Sequence, residues 1–356
     1  NLIEMGFIEA CNYLCPGHGR GIDDTGPLTV DTLEKNLFGI QTGGFDDLLG
    51  KGDIDVLIDI IKFRDLLTCY KGHSFCPYSM HCDFETLKSL DAVPDSMNLI
   101  DSEYSNRLFA LPLEKHRTPG GSCPNTLRGV AWLGSHTNEE CSVVSMGAIG
   151  RDEPGDNFET ILEEQGVISA LTRKDVATGT STILVTPDHK RTMFTYLGAC
   201  REHSRSDVEN ERIDAADCVH TTGYMWDTGN QRMAAEYIID RANETGKPVS
   251  YDLADPFVVH RFGGILNDYL PGRIGILFAN WEELAAMTNK RDDDEILEAA
   301  KRYAPVVVMK TGADGCKVLD HGDVITVPGD KVSAVDTTGA GDSFAAGFLF
   351  GMLKGY

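Results

Sequence analysis

The sequence predicts an α/β protein built on a mainly parallel sheet with helices on both faces, and two observations carry that prediction. From about residue 140 onward, short β-branched runs alternate with stretches whose apolar residues recur at helical spacing. The chain is also long enough, at 356 residues and 42% apolar, to bury a large core. In chain order the strands are CSVVSMGAIG, STILVTP, DCVHTTGY, KPVSYDLAD, IGILFAN and PVVVMKTG, bounded by Gly, Pro, Asp or Asn. The helices between them are DNFETILEEQG, NQRMAAEYIIDRANETG and DDEILEAAKRYA. This alternation implies βαβ units. In such sheets ligands gather at the carboxyl ends of strands, so polar residues that follow apolar runs deserve the closest reading. Ahead of residue 140 the pattern is weaker. Residues 1–50 include the loop-like CPGHGRGIDDTGP and carry no assignable role, and DIDVLIDII at 53–61 is the first convincing strand.

Composition narrows the function. A formal charge of −23 repels phosphodiester backbones and argues against nucleic-acid binding. It leaves small phosphates open, since a few fixed dipoles and one or two arginines can hold an anion inside an acidic protein. No apolar run approaches the ~20 residues of a membrane span. The first residues, NLIEMGFIEACNYLC, are acidic where a signal peptide is basic, so a cytoplasmic protein is expected. Ten cysteines are mostly isolated, and Cys123, Cys141, Cys200, Cys218 and Cys316 lie in or beside apolar runs, which suits buried thiols in a reducing compartment. One cluster differs. CYKGHSFCPYSMHC gathers Cys69, His73, Cys76, His81 and Cys82, while CNYLCPGH adds Cys11, Cys15 and His18. Their spacings match no common zinc module, and an irregular insertion that ligates nothing is the stronger reading.

The stretch DTTGAGDSFAAGF at 336–348 holds the most concentrated chemistry. Phe344, Phe348 and Met352, with Ala345 and Leu349 between them, follow a helix face that begins near Asp342. Gly339, Ala340 and Gly341 leave little side chain to block a group approaching the helix start, where N–H donors and the positive end of the dipole point outward. That geometry suits an anion, including one whose charge grows during a transfer reaction. A carboxylate there can take a proton from a substrate hydroxyl. An aspartate cap behind a glycine turn explains the same residues equally well.

Further segments shift the balance. VDTTGAGDSFAAGF resembles the C-terminal signature of the ribokinase (PfkB) family of small-molecule kinases. GGSCPNTLRGVAWLG (120–134) resembles its substrate-side Gly-Gly motif, GAIGRDEPGDNF (147–158) its Gly-x-x-Gly-x-Asp-x-x-Gly turn, and ANWEEL (279–284) its Asn-x-x-Glu motif. VVVMKTGADG (306–315) is similar to its strand and nucleotide-contacting turn. Five motifs in the family's order form a strong signal where each alone is weak. The resemblance spans roughly residues 95–356. Within the family, TPDHKRTMFTYLGA, TTGYMWD and SYDLADPF look most like adenosine kinases and the bacterial sugar or nucleoside kinases near them.

The resemblance implies a ribokinase-like fold over 51–356, with a small β lid drawn from parts of 53–62, 100–118 and 180–200, and an insertion at about 64–83. It implies transfer of the ATP γ-phosphate to a hydroxymethyl group, with Mg²⁺ and a monovalent cation such as K⁺, in a monomer or homodimer. Asp342 would be the catalytic base and Gly339, Ala340, Gly341 and Asp342 the anion hole, with Arg191 facing the phosphates. Asn280 and Glu283 would organise Mg²⁺ and phosphate through water. Lys310, Gly312, Gly315 and Asp336 would contact the nucleotide. Gly120, Gly121 and Asn125 would meet sugar hydroxyls, and Tyr224 and Phe257 could stack on a base, although aromatics at strand ends are more often core. A substrate-binding aspartate is expected in the first strand, at Asp59 or Asp55. Adenosine is the first candidate acceptor. A sugar kinase such as a ribokinase or fructokinase, and a scaffold without catalysis, are the alternatives. A P-loop kinase and a Rossmann dehydrogenase are disfavoured, because neither Gly-x4-Gly-Lys-Ser/Thr nor a Gly-x-Gly-x-x-Gly after a strand occurs.

Overall fold

A computed structural model describes residues 65–70 and 76–355 apart from 93, 95, 118, 119, 138, 140, 189, 331 and 333–338. Among these residues the strands, in chain order, are β1 (Asp65–Tyr70), β2 (Cys76–His81), β3 (Met97–Leu99), β4 (His116–Arg117), β5 (Cys141–Gly150), β6 (Val167–Lys174) and β7 (Thr180–Val185). They continue with β8 (Arg191–Tyr196), β9 (Cys218–Thr222), β10 (Val249–Asp252), β11 (Ile276–Asn280), β12 (Val306–Lys310), β13 (Gly315–Asp320) and β14 (Asp323–Pro328). Nine of them form the central sheet, in the order β14-β13-β12-β11-β10-β9-β1-β5-β6. Its pairings are parallel from β6 across to β12. A smaller sheet has the order β3-β8-β7-β2-β4.

The two sheets differ because their strands are covered differently. β5, CSVVSMGAIG, is buried along its last eight residues, as a parallel strand with helices on both faces must be. Leu277, Ala279, Val307 and Met309 face one core with Ala234, Ala235, Ile238 and Ile239 of the helix Gly229–Glu244. Ile276, Phe278 and Val308 face the other, with Leu127 and Val130 of the helix Ser122–His136 and Leu349 and Phe350 of the helix Ala340–Lys354. β7, TSTILV, instead alternates between buried and half-buried positions, the period of a sheet with one covered face.

The first part of the chain departs from expectation. The stretch at 64–83, read as an insertion, supplies two strands: β1 sits between β5 and β9 in the central sheet, and β2 pairs with β7 and β4 in the smaller one. DLLTCY is too short to carry a clear pattern, and its pairing with β5 and β9 is what makes it a strand. The proposed first strand at 53–61 lies outside the described residues, as do residues 1–50. STILVTP joins the smaller sheet as β7, next to β8, and His116–Arg117 contributes its edge. Beyond the strands read from the sequence lies the antiparallel hairpin β13–β14, turned by His321 and Gly322 at positive φ. Cys123, Cys200, Cys218 and Cys316 are buried, and Cys141 is half-buried. Among the described residues no helix is long and apolar enough to cross a membrane.

Candidate active site

Four parallel strands deliver their last residues to one edge of the central sheet. Asp252 ends β10 in register with Thr222 of β9 and Phe278 of β11, and Asn280 of β11 is paired with Lys310 of β12. The helices Ser122–His136 and Ala340–Lys354 pack together on one face of this edge and start there. The second begins two residues before the predicted position, with Gly339 as its N-cap in the left-handed region at φ 76°. Its first intrahelical bond runs from Ser343 N to Gly339 O at 2.9 Å. The N–H groups of Gly341 and Asp342 therefore precede the hydrogen-bonded ladder, where the helix dipole is positive.

Asp342 is held from both sides by the other helix. Its Oδ1 accepts from Ser122 Oγ at 2.7 Å and its Oδ2 from Asn125 Nδ2 at 2.8 Å. Thr126 Oγ1 donates to the Asp342 carbonyl at 3.2 Å, which ties the two helix starts together. Part of Asp342 stays open to solvent, while protein packs densely around the carboxylate. That burial raises its pKa from 3.8 to about 6; the bonds from Ser122 and Asn125 oppose the rise, Asp252 adds to it and Lys310 opposes it. A carboxylate poised near neutrality and fixed in orientation is suited to accept a proton from a hydroxyl.

Asn280 and Glu283 form a capping box at the start of the helix Trp281–Thr288. Glu283 N donates to Asn280 Oδ1, and Glu283 Oε2 and Oε1 accept from Asn280 N and Nδ2, all at 2.8 Å. Glu283 is almost fully buried, and burial followed by the charge of Asp252 pushes its carboxyl up to about 7. Across from it, Lys310 Nζ bonds Asp252 Oδ2 at 3.0 Å. Burial alone would lower the Lys310 pKa, but Asp252, Glu283 and Asp342 together raise it. The cluster thus sets three carboxylates against one ammonium, an excess of negative charge that attracts a divalent cation, although among the described residues no three Asp, Glu, His or Cys side chains converge as direct ligands. With both Glu283 oxygens engaged by Asn280, such an ion would meet Glu283 through water, the mode Mg²⁺ favours.

The remaining expected residues fall in several places. Gly121 is the N-cap of Ser122–His136 at φ 101°, with Gly120 beside it, while the Asn125 amide is turned onto Asp342. Tyr224 lies in the turn after β9, half-buried, with its hydroxyl 3.4 Å from Asp255 Oδ2 and Asp342 within electrostatic range. Phe257 is 39% exposed in the first turn of the helix Pro256–Tyr269, with the Arg261 guanidinium 5.1 Å from its ring centre. Arg191 opens β8 in the smaller sheet, opposite Val185. Gly312 stands at φ 64° in the turn after β12. Gly315 is set by the backbone of the hairpin: at φ 98° an added β-carbon would lie 2.1 Å from the Val327 carbonyl oxygen. Asp55, Asp59 and Asp336 lie outside the described residues. So do His73 of the Cys/His cluster and Cys11, Cys15 and His18; Cys69 lies in β1, Cys76 and His81 begin and end β2, and the Cys82 side chain is buried.

Ser122 and Asp252 were missed by sequence reading. Asp252 carried a usable signal, as a polar residue ending the run VSYD, and Ser122 sits inside the Gly-Gly motif.

The sequence pattern of the pfkB family of carbohydrate kinases matches residues 95–356. A nucleoside kinase of Methanothermobacter thermautotrophicus is 28% identical over 296 residues, 82% of this chain and 84% of that protein. An ATP-dependent ribose-1-phosphate kinase of Halopiger xanaduensis is 30% identical over 272 residues, 76% of this chain and 81% of that protein. Among solved structures, the adenosine kinase from Sinorhizobium meliloti superposes with a TM-score of 0.72 at 31% identity, covering 82% of this chain and 88% of that one.

Proposed function

The chain belongs to the pfkB family of carbohydrate kinases, and from that premise we propose that it moves the γ-phosphate of ATP onto the hydroxymethyl group of a nucleoside, adenosine first. It is a nucleoside or sugar kinase of ribokinase-like fold. The observation that carries the mechanism is the Asp342 carboxylate, set at a helix N-terminus and oriented by Ser122 and Asn125.

In this reading the acceptor hydroxyl lies against Asp342, which takes its proton as the oxygen attacks the γ-phosphorus. The bond between that phosphorus and the bridging oxygen of ADP breaks, and its electron pair leaves with ADP. The backbone donors of Gly339 to Asp342 face the charge on the transferring group, at fixed positions that need no rearrangement during the reaction. Arg191 adds a guanidinium from the smaller sheet, which acts as a lid. Asn280 and Glu283 would hold Mg²⁺ through water, and Mg²⁺ when bound neutralises phosphate charge. Tyr224 and the exposed Phe257 supply aromatic faces suited to a flat base, and on that ground a nucleoside is preferred to a free sugar. Gly120 and Gly121 leave room for the ribose, and K⁺ supports turnover.

The test is a panel of nucleosides and sugars with Mg·ATP, read as ADP release, with the medium's K⁺ exchanged for choline in a parallel series. Adenosine is expected to give the highest kcat/KM. A higher value for ribose or fructose would replace the acceptor, and absence of turnover with every acceptor would favour a binding scaffold.

A further inference from the structure

Beside the base and the helix terminus lies a buried ion pair with no role in the mechanism so far. Lys310 Nζ and Asp252 Oδ2 are 3.0 Å apart, on side chains only 15% and 4% exposed. Asp252 is itself pinned, since its Oδ1 accepts from Ala254 N at 2.9 Å. The ammonium extends to the helix terminus: a β-carbon built on Gly341 would stand 3.2 Å from Lys310 Nζ. The absence of a side chain at 341 therefore leaves the ammonium and the backbone of the glycine run side by side.

Stability does not account for this arrangement. Burying two charges costs desolvation that their attraction often only balances, and an apolar pair of the same volume would serve the fold as well. Function does account for it. Asp252, Glu283 and Asp342 would together repel a polyphosphate, and in a site shielded from water a single fixed cation acts far more strongly than it would in solvent. Lys310 has three N–H donors, and the bond to Asp252 uses one.

We propose that Lys310 is a further catalytic residue, its ammonium contacting the phosphoryl group in transit beside Gly341, with Asp252 the positioning residue that fixes its reach. The proposal rests on the reading of this helix terminus as the phosphoryl site. Lys310 remains an ammonium throughout: the acceptor's proton goes to Asp342, the new oxygen–phosphorus bond forms, and the leaving electron pair departs on ADP.

The test compares Lys310→Met, Asp252→Asn and the double variant Lys310→Met/Asp252→Asn with the native protein. The double variant removes both charges of the pair together, so neither partner is left buried without the other and the net charge of the cluster with Glu283 and Asp342 is unchanged. Turnover is measured with the best acceptor, and the affinities of ATP and ADP by calorimetry. The double variant, with a native-like Tm, is expected to lose about 10²-fold in kcat and roughly tenfold of its preference for ATP over ADP. Asp252→Asn alone should lose about tenfold in kcat, because the ammonium stays but its position loosens. A purely structural pair would lower the Tm of Lys310→Met and leave both the turnover per folded molecule and the ATP preference unchanged. A folded double variant with kcat within about threefold of native and unaltered ATP preference overturns the proposal. Failure of the base assignment is distinguishable, because it would appear in Asp342→Asn, and the ATP-over-ADP preference of the Lys310 variants does not depend on it.

Discussion

Replacing Asp342 with asparagine sets turnover and stability against each other, which separates a catalytic role from a capping one. The new amide keeps the geometry: its carbonyl accepts from Asn125, and its NH₂ donates to the Ser122 hydroxyl, which rotates to accept. The carboxyl of the native protein is raised from 3.8 to about 6, chiefly by burial. Between those values the folded state binds more protons than the unfolded one, so stability falls as pH rises through this window. Above pH 6 the full difference is lost to the native protein, at most about 3 kcal/mol and nearer 1–2 once solvent at the open side of Asp342 is counted. Asp342→Asn, which has no charge to desolvate, is therefore expected to unfold at higher urea than native at pH 8, with the gain vanishing as pH falls below 4. Its kcat should drop about 10³-fold with ATP affinity nearly unchanged. Native kcat/KM should rise with pH through a midpoint near 6, as Asp342 of the free enzyme loses its proton, and the residual activity of the variant should lack that step. Urea titrations at two pH values and a kcat/KM–pH profile give the answer. A variant that is less stable at pH 8, or one that turns over at the native rate, would refute the reasoning.

Three further outcomes follow from the same geometry. Ser122→Ala removes a bond that lowers the Asp342 pKa, so the midpoint of the kcat/KM–pH profile should move upward, with about a tenfold loss at pH 6 that narrows by pH 8; an unmoved midpoint counts against Ser122 as the orienting donor. Gly315→Ala forces a β-carbon into the Val327 carbonyl at an unfavourable φ and should cost at least about 2 kcal/mol, read as a lower urea midpoint at unchanged m. Chelation with EDTA should abolish turnover and leave the far-ultraviolet circular dichroism unchanged, because the Asn280–Glu283 capping box satisfies its own hydrogen bonds without a metal. Unfolding on chelation would mean that the metal supports the fold instead.

What the sequence determined by itself was local. The strands β5 and β9 to β12 declare themselves through β-branched runs of the right length, and the helix of Asp342 through apolar residues on one face, because periodicity and turn chemistry act over a few residues. The glycine run before Asp342 is legible for the same reason. Tertiary structure decided the rest. DLLTCY is a central strand only because a slot between β5 and β9 pairs it, and six residues carry too little pattern to announce that. The two donors on the Asp342 carboxylate come from 220 and 217 residues away, and Asp252 reaches Lys310 across 58. The elevated pKa of Asp342 arises from burial and from neighbouring charges, which exist only once the chain has folded. The sequence could therefore name an aspartate at a helix start, whereas the packing of two helices and the register of β10, β11 and β12 gave it the surroundings of a base.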